Sequence, residues 1–187
     1  LDPNIIFAMI WTESTFKARS GKGDAILHIS THGFFMVNHD EGVNNPLKSS
    51  GLLFAGANAY WMNDSLYRQQ KFLQTEDDGI LRSDEIALLD FNGCELVVLS
   101  ACQTGLGYSH SSEGVYGLQR AFKLAGAKKI LMSMWSVSDY HTALLMDRLY
   151  SYILSGDNVE IALSKSKDDL RKQFHAPIYW GAFVLLN

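Results

Sequence analysis

The sequence predicts an α/β fold built on a mainly parallel sheet with helices on both faces. Three observations lead there. The runs Ala25–Ser30, Leu96–Ser100 and Lys129–Trp135 are almost continuously apolar, as strands covered on both sides are. Stretches with helical spacing stand between and after them, Glu113–Leu124 being the clearest. Strands that alternate with helices in this way generate parallel sheets through crossover connections.

Taken in order, Asn4–Trp11 is an apolar run and a candidate strand, and Thr12-Glu13-Ser14-Thr15 can cap a short helix through Lys17. The turn Gly21-Lys22-Gly23-Asp24 leads into the strand Ala25–Ser30. Met36–Asp77 is mixed, Asn-rich and long. Its one short apolar stretch, Gly51–Ala55, is expected to be a small edge strand, and excursions of this length tend to be functional. It closes at the turn signal Asp77-Asp78-Gly79. Ser83–Leu89 reads as a short helix capped by Ser83. After the strand Leu96–Ser100 comes a polar loop, Gln103–Ser112, then the helix Glu113–Leu124 ended by Gly126. Beyond Lys129–Trp135, Ser138 or Asp139 caps a long helix ended by Gly156. Leu144, Leu145, Leu149, Tyr152 and Ile153 are expected on its inner face. A helix Asn158–Gln173 and a strand Phe183–Leu186 complete the chain.

The gross numbers bound the function. A chain of 187 residues, 47% apolar and 19% charged, is ordinary for one compact domain, here 1–187 with 36–77 as its excursion. The net charge of −4 and the lack of a basic cluster argue against nucleic acid as a direct partner. No apolar run approaches the ~20 residues of a membrane helix. The two cysteines, Cys94 and Cys102, flank one strand and would lie about 25 Å apart, too far to bridge. A reducing, cytoplasmic setting is therefore expected. The chain starts at Leu1 rather than at Met, so a piece of a longer protein is expected.

The chemistry sits where strands stop. Ala25–Ser30 runs into Thr31-His32-Gly33, and Leu96–Ser100 runs into Ala101-Cys102-Gln103. Ligands of parallel sheets bind at the carboxyl ends of strands, so His32 and Cys102 share a site if the two strands are neighbours. A thiol beside an imidazole is a nucleophile with its base. Gly33 lets a substrate backbone approach, and its N–H, with that of Cys102, can hold an oxyanion. Asp139 and Trp135 follow the third strand. Either can line a pocket, Asp139 equally being a first-turn helix acid and Trp135 a core residue. Gln103, beside the cysteine, is a candidate substrate contact, and Glu113, which opens a helix near the same loop, is equally a substrate contact or a structural acid at the helix N-terminus. His28 is expected deeper than His32 on the same face by parity, either as a core residue or as a support behind the site. Cys94, ahead of its strand, is read as structural, and Tyr179-Trp180 as core. Two cysteines and six scattered histidines show no zinc-type ligand spacing, so no metal or other cofactor is expected. No G-x-S-x-G elbow of a serine hydrolase appears.

With these residues in view, the chain resembles the CHAT domain, a branch of the caspase-like cysteine peptidases related to separase. The matching stretches, in the family's order, include Leu27–Phe35, Ser50–Asn58, Asp78–Leu81, Leu96–Gly105, Glu113–Leu118, Met134–Asp139 and Tyr179–Leu185. The resemblance implies a caspase-like three-layer α/β/α sandwich, a catalytic His32 and Cys102, and a share of the oxyanion hole for Gly33. It implies a cysteine endopeptidase acting on a peptide or protein. Such a domain usually forms the effector end of a longer bacterial protein, often behind tetratricopeptide repeats that regulate it. A catalytically silent interaction module on the same fold is the alternative.

Overall fold

A computed structural model describes residues 25–35, 46–55, 57, 78–100 and 112–187, with side chains described from 117 onward in the last span. The expected strand Asn4–Trp11, the helix after it, most of the 36–77 excursion, and Cys102 and Gln103 lie outside the described residues.

The first strand, β1 (Ala25–Ile29), stops at Ser30 as its apolar run does, and the chain re-enters a strand at once as β2 (His32–Phe35). β3 (Ser50–Leu53) and β4 (Ile80–Arg82) follow, then a one-turn helix α1 (Ser83–Ile86), β5 (Cys94–Leu99) and α2 (Ser112–Leu124). β6 (Lys129–Ser133), α3 (Asp139–Leu154), α4 (Val159–Gln173), a 3₁₀ turn Pro177–Tyr179 and β7 (Phe183–Leu186) complete the order.

The strands form two sheets. The larger has the order β1-β5-β6-β7. β1 pairs parallel with β5 and β5 parallel with β6, while β7 returns antiparallel along β6. Side-chain alternation splits its interior into two cores. On one face Leu27, Ile29, Val97, Leu99, Ile130 and Met132 pack against Ile86 of α1 and Leu118, Ala121 and Phe122 of α2. On the other, Ile26, Leu96, Val98 and Leu131 pack against Leu145, Met146 and Leu149 of α3 and Ala162, Leu163 and Leu170 of α4. Helices on both faces of a mainly parallel sheet make the α/β/α sandwich.

The second sheet, β2-β3-β4, is antiparallel, with His32 opposite Leu53 and Leu52 opposite Leu81. The stretch expected to be an edge strand is thus the middle strand of a separate sheet, because β2 and β4 are too short to announce themselves. Ser83 does not cap α1. The N-terminal position is Arg82, whose N–H donates to the Glu85 carboxylate (2.7 Å). Ser83 is fully buried and its hydroxyl pairs with that of Ser50 (2.8 Å), tying α1 to β3. Ser50 also donates to the Pro46 carbonyl (2.6 Å).

The long helices behave as their caps dictate. The Asn158 side chain accepts the Ile161 N–H (2.9 Å) ahead of α4. Gly156, at φ +98°, turns the chain after α3 in a conformation a side chain would oppose. The buried face of α3 is Leu145, Met146, Leu149 and Tyr150. Leu144, Tyr152 and Ile153 flank it, half-buried. The expected face is therefore rotated, and Tyr150 is its central aromatic. Cys94 begins β5 rather than preceding it. It is buried, and its thiol donates to the Leu96 carbonyl (3.4 Å).

Candidate functional site

The condition on which the site depends is met: β1 and β5 are neighbours. Ile29 lies opposite Leu99, and the Ser100 N–H donates to the Ile29 carbonyl (2.9 Å), so both strands end side by side. Since β6 runs parallel to β5, its carboxyl end opens onto the same edge.

From β1 the chain crosses to the small sheet within two residues. The Thr31 hydroxyl donates to the Leu53 carbonyl, fastening the crossing to β3. His32 then opens β2 with its side chain exposed, and Gly33 behind it is buried opposite Leu52. Within the described residues β2 has one strand neighbour, β3. Every second backbone amide of such an edge strand faces away from its partner. Cys102 is two positions beyond Ser100, outside the described residues, as is Gln103. Glu113 lies in the first turn of α2.

At the end of β6 the strand stops at Ser133, and Met134, Trp135, Asp139 and Tyr140 are all exposed. Trp135 is 40% exposed, so it is not a core residue. Its ring lies over Gly181, where an added Cβ would stand 3.5 Å from it. Asp139 is the first residue of α3. Its helix-terminal place is observed, and the Ser138 side chain makes no cap hydrogen bond there. Tyr179 is 39% exposed and so departs from the expected core role, whereas Trp180 is half-buried and donates from Nε1 to the Phe174 carbonyl (3.0 Å). The Tyr179 ring stacks on His141 at 4.2 Å, and Phe174 meets the same imidazole edge-on at 4.5 Å. His141 Nδ1 and Thr142 Oγ1 are buried with no hydrogen-bond partner among the described residues.

His28 stands where the sequence places it, behind the site, but its partners were not foreseen. It is half-buried behind the β1 terminus. Its Nε2 lies 2.7 Å from Ser100 Oγ and its Nδ1 lies 2.8 Å from the Tyr150 hydroxyl. Burial holds the imidazole below its ordinary pKa, and burial raises the Tyr150 phenol well above its own. Both groups are thus neutral near pH 7. Parity does not relate His28 to His32, because the two stand in different sheets. Ser100 and Tyr150 carried no signal for this contact; the one available hint was a histidine inside an otherwise apolar strand, which must find hydrogen-bond partners. Among the described residues no cluster of three or more His, Cys, Asp or Glu could hold a metal ion, and no helix is long and apolar enough to cross a membrane.

A mainly parallel α/β/α sandwich, with a histidine just past one strand and a cysteine-bearing segment just past its neighbour, defines a caspase-like class of protein. The model of one family, the CHAT domain, matches residues 7–187, and the chain belongs to that family. Over 95 residues it is 32% identical to human tetratricopeptide repeat protein 28, covering 50% of this chain and 4% of that protein. Its mouse counterpart is 31% identical over 103 residues, 54% of this chain and again 4% of its own length.

Proposed function

We propose that the chain is a cysteine endopeptidase domain that cuts a peptide or protein with Cys102 as nucleophile and His32 as its proton carrier. The observation that carries this reading is the parallel pairing of β1 with β5, closed by the Ser100 N–H on the Ile29 carbonyl (2.9 Å). Cys102 follows Ser100 by two residues in the sequence. The exposed His32 starts from the same corner, three residues past Ile29.

The chemistry follows. A free thiol has a pKa near ~8.5, and the thiolate is the reactive form. His32 takes the thiol proton, and the sulfur attacks the scissile carbonyl. The N–H groups of Gly33 and Cys102 stabilise the oxyanion, each donor of this kind being worth about 10²–10³ in rate. His32 then gives its proton to the departing amine. Water, deprotonated by the same imidazole, frees the acyl group and restores the thiol. An extended substrate lies beside β2, with Trp135, Asp139, Gln103 and Glu113 as further contacts. No cofactor enters any step.

The whole chain, 1–187, is read as one such domain with the 36–77 segment as its regulatory excursion. It works in the cytoplasm, joined to a tetratricopeptide-repeat region that controls it. The names of the relatives support a repeat-bearing parent, although the chain spans 4% of their length. The test is to sequence the new termini produced by the wild type in a proteome, beside Cys102→Ala. Termini made by the wild type alone are expected. Identical sets, with Cys102 unreactive toward thiol probes, would instead leave a silent interaction module.

A further inference from the structure

His28, Ser100 and Tyr150 form a hydrogen-bonded chain that the reaction above does not use. It joins three elements far apart in sequence: the middle of α3, the interior of β1 and the exit of β5. Ser100 is held twice. Its N–H is fixed to the Ile29 carbonyl at 2.9 Å, and its Oγ is fixed to His28 Nε2 at 2.7 Å. His28 is fixed in turn by the Tyr150 hydroxyl at 2.8 Å, and the two rings lie 5.8 Å apart. Tyr150 is itself buried in the core between α3 and the sheet. A neutral imidazole donates from one nitrogen and accepts at the other. The tautomer that answers Tyr150 therefore dictates which role Ser100 plays.

We propose that Tyr150, His28 and Ser100 are positioning residues for the thiol at 102, fixing the direction in which the chain leaves β5 toward it. This rests on Cys102 being the reacting group. A strand end pinned only through its backbone can still swivel at its last residue. Pinning the side chain as well removes that freedom at the one residue from which the nucleophile segment departs. Loss of positioning of about 1 Å costs as much as ~10²-fold in rate.

The test uses the full chain and reads the thiol directly. Alkylation of Cys102 by iodoacetamide at pH 7 is followed by mass spectrometry for wild type, Tyr150→Phe, Ser100→Ala and Ser100→Thr. Each variant is checked by melting and by the shielding of Cys94. The expected result is alkylation slowed about 10-fold in Tyr150→Phe and Ser100→Ala. Ser100→Thr, which keeps the hydroxyl, is expected within about threefold of wild type. If Tyr150→Phe does not fold, Ser100→Ala decides, since it removes a single oxygen from a half-buried position. Wild-type rates in Ser100→Ala overturn the proposal, and so does labelling of Ser100 by a fluorophosphonate, which would make the serine a nucleophile in its own right. A wild type that cuts nothing, with the alkylation pattern intact, removes the peptidase reading and leaves the positioning chain standing. A wild type that cuts, with equal alkylation in all variants, does the reverse.

Discussion

Gly117→Ala is the substitution that separates the docking of the two sheets from ordinary stability. Gly117 lies in α2 where the helix crosses β3. A Cβ there would stand 2.5 Å from the Pro46 carbonyl oxygen and run into Ser50 Oγ. Away from contacts, Gly→Ala inside a helix gains about 1 kcal/mol. Here the methyl has no room, and overpacking a closed site costs about 1–3 kcal/mol. It also displaces the Ser50 hydroxyl from Ser83, which is fully buried, and an orphaned buried hydroxyl costs about 1–3 kcal/mol. The balance is a loss of about 3 kcal/mol, a fall of about 6–12 °C in Tm for a chain of this size. Because β3 carries β2 by direct pairing, the same methyl moves His32 relative to the end of β5. Leu131→Ala supplies the matched control. Leu131 is fully buried between β6 and the α3–α4 layer, on the opposite face of the main sheet from α2, and its truncation also costs about 3 kcal/mol. Assayed well below both melting temperatures, Gly117→Ala is expected to lose cleavage by about 10–100-fold and Leu131→Ala to stay within about threefold. A Gly117→Ala protein that melts at or above the wild-type temperature refutes the packing argument. Equal cleavage by the two variants refutes the link to His32.

Three further outcomes can be checked quickly. Burial lowers the His28 pKa below its usual 6.5, so the unfolded chain binds a proton that the fold refuses. Stability should be level above about pH 6.5 and decline as pH falls below it, by up to about 1.4 kcal/mol per pH unit from this group. His28→Gln should flatten that decline in denaturant titrations, although it lowers stability overall. Cys94 is 5% exposed and burial raises its thiol pKa, so it should resist alkylation in the native protein and react fully in guanidinium. Asn158→Ala removes the acceptor of the Ile161 N–H at the start of α4 and should cost about 1 kcal/mol in thermal melts.

What the sequence revealed and what it hid divide along physical lines. The central strands were legible because burial on both faces demands unbroken apolar runs, as in Leu96–Leu99. The start of α4 and the end of α3 were legible because Asn158 and Gly156 act locally, the one as a side-chain cap and the other through its positive φ. The small sheet was not. Its strands span three or four residues, and their partners are set by contacts between distant segments. Ser83 misled for a related reason: a cap and a buried hydrogen-bonding hydroxyl use the same residue, and the choice was made by Ser50, 33 positions away. On α3 the expected inner face shares Leu145 and Leu149 with the buried one, and a turn of less than one residue's ~100° brings in Met146 and Tyr150. The meeting of His28 with Ser100 and Tyr150 spans 72 and 122 positions and leaves no local trace.

His32 opens a strand of the small sheet, whereas β5, which precedes Cys102 in the chain, belongs to the main sheet, and that has a consequence for control. If β2 had continued β1 within the main sheet, the imidazole would be held by the ladder that holds β5, and its place could change only by unfolding the core. Instead the chain breaks at Ser30 and Thr31, and His32 depends on β3. β3 is fixed to the sandwich through the Ser50–Ser83 hydroxyl pair and the close crossing of α2 at Gly117. Leu52 of β3 adds one fully buried side chain to the core under α1 and α2, with Leu81 of β4 packed against it, whereas the four strands of the main sheet supply side chains to both cores. A small sheet attached in this way can shift on a stable base at a fraction of the cost of unfolding. A partner bound to the small sheet is therefore expected to shift His32 relative to the end of β5 without disturbing β5 itself. The Tyr150–His28–Ser100 chain would hold the thiol side fixed while it did so.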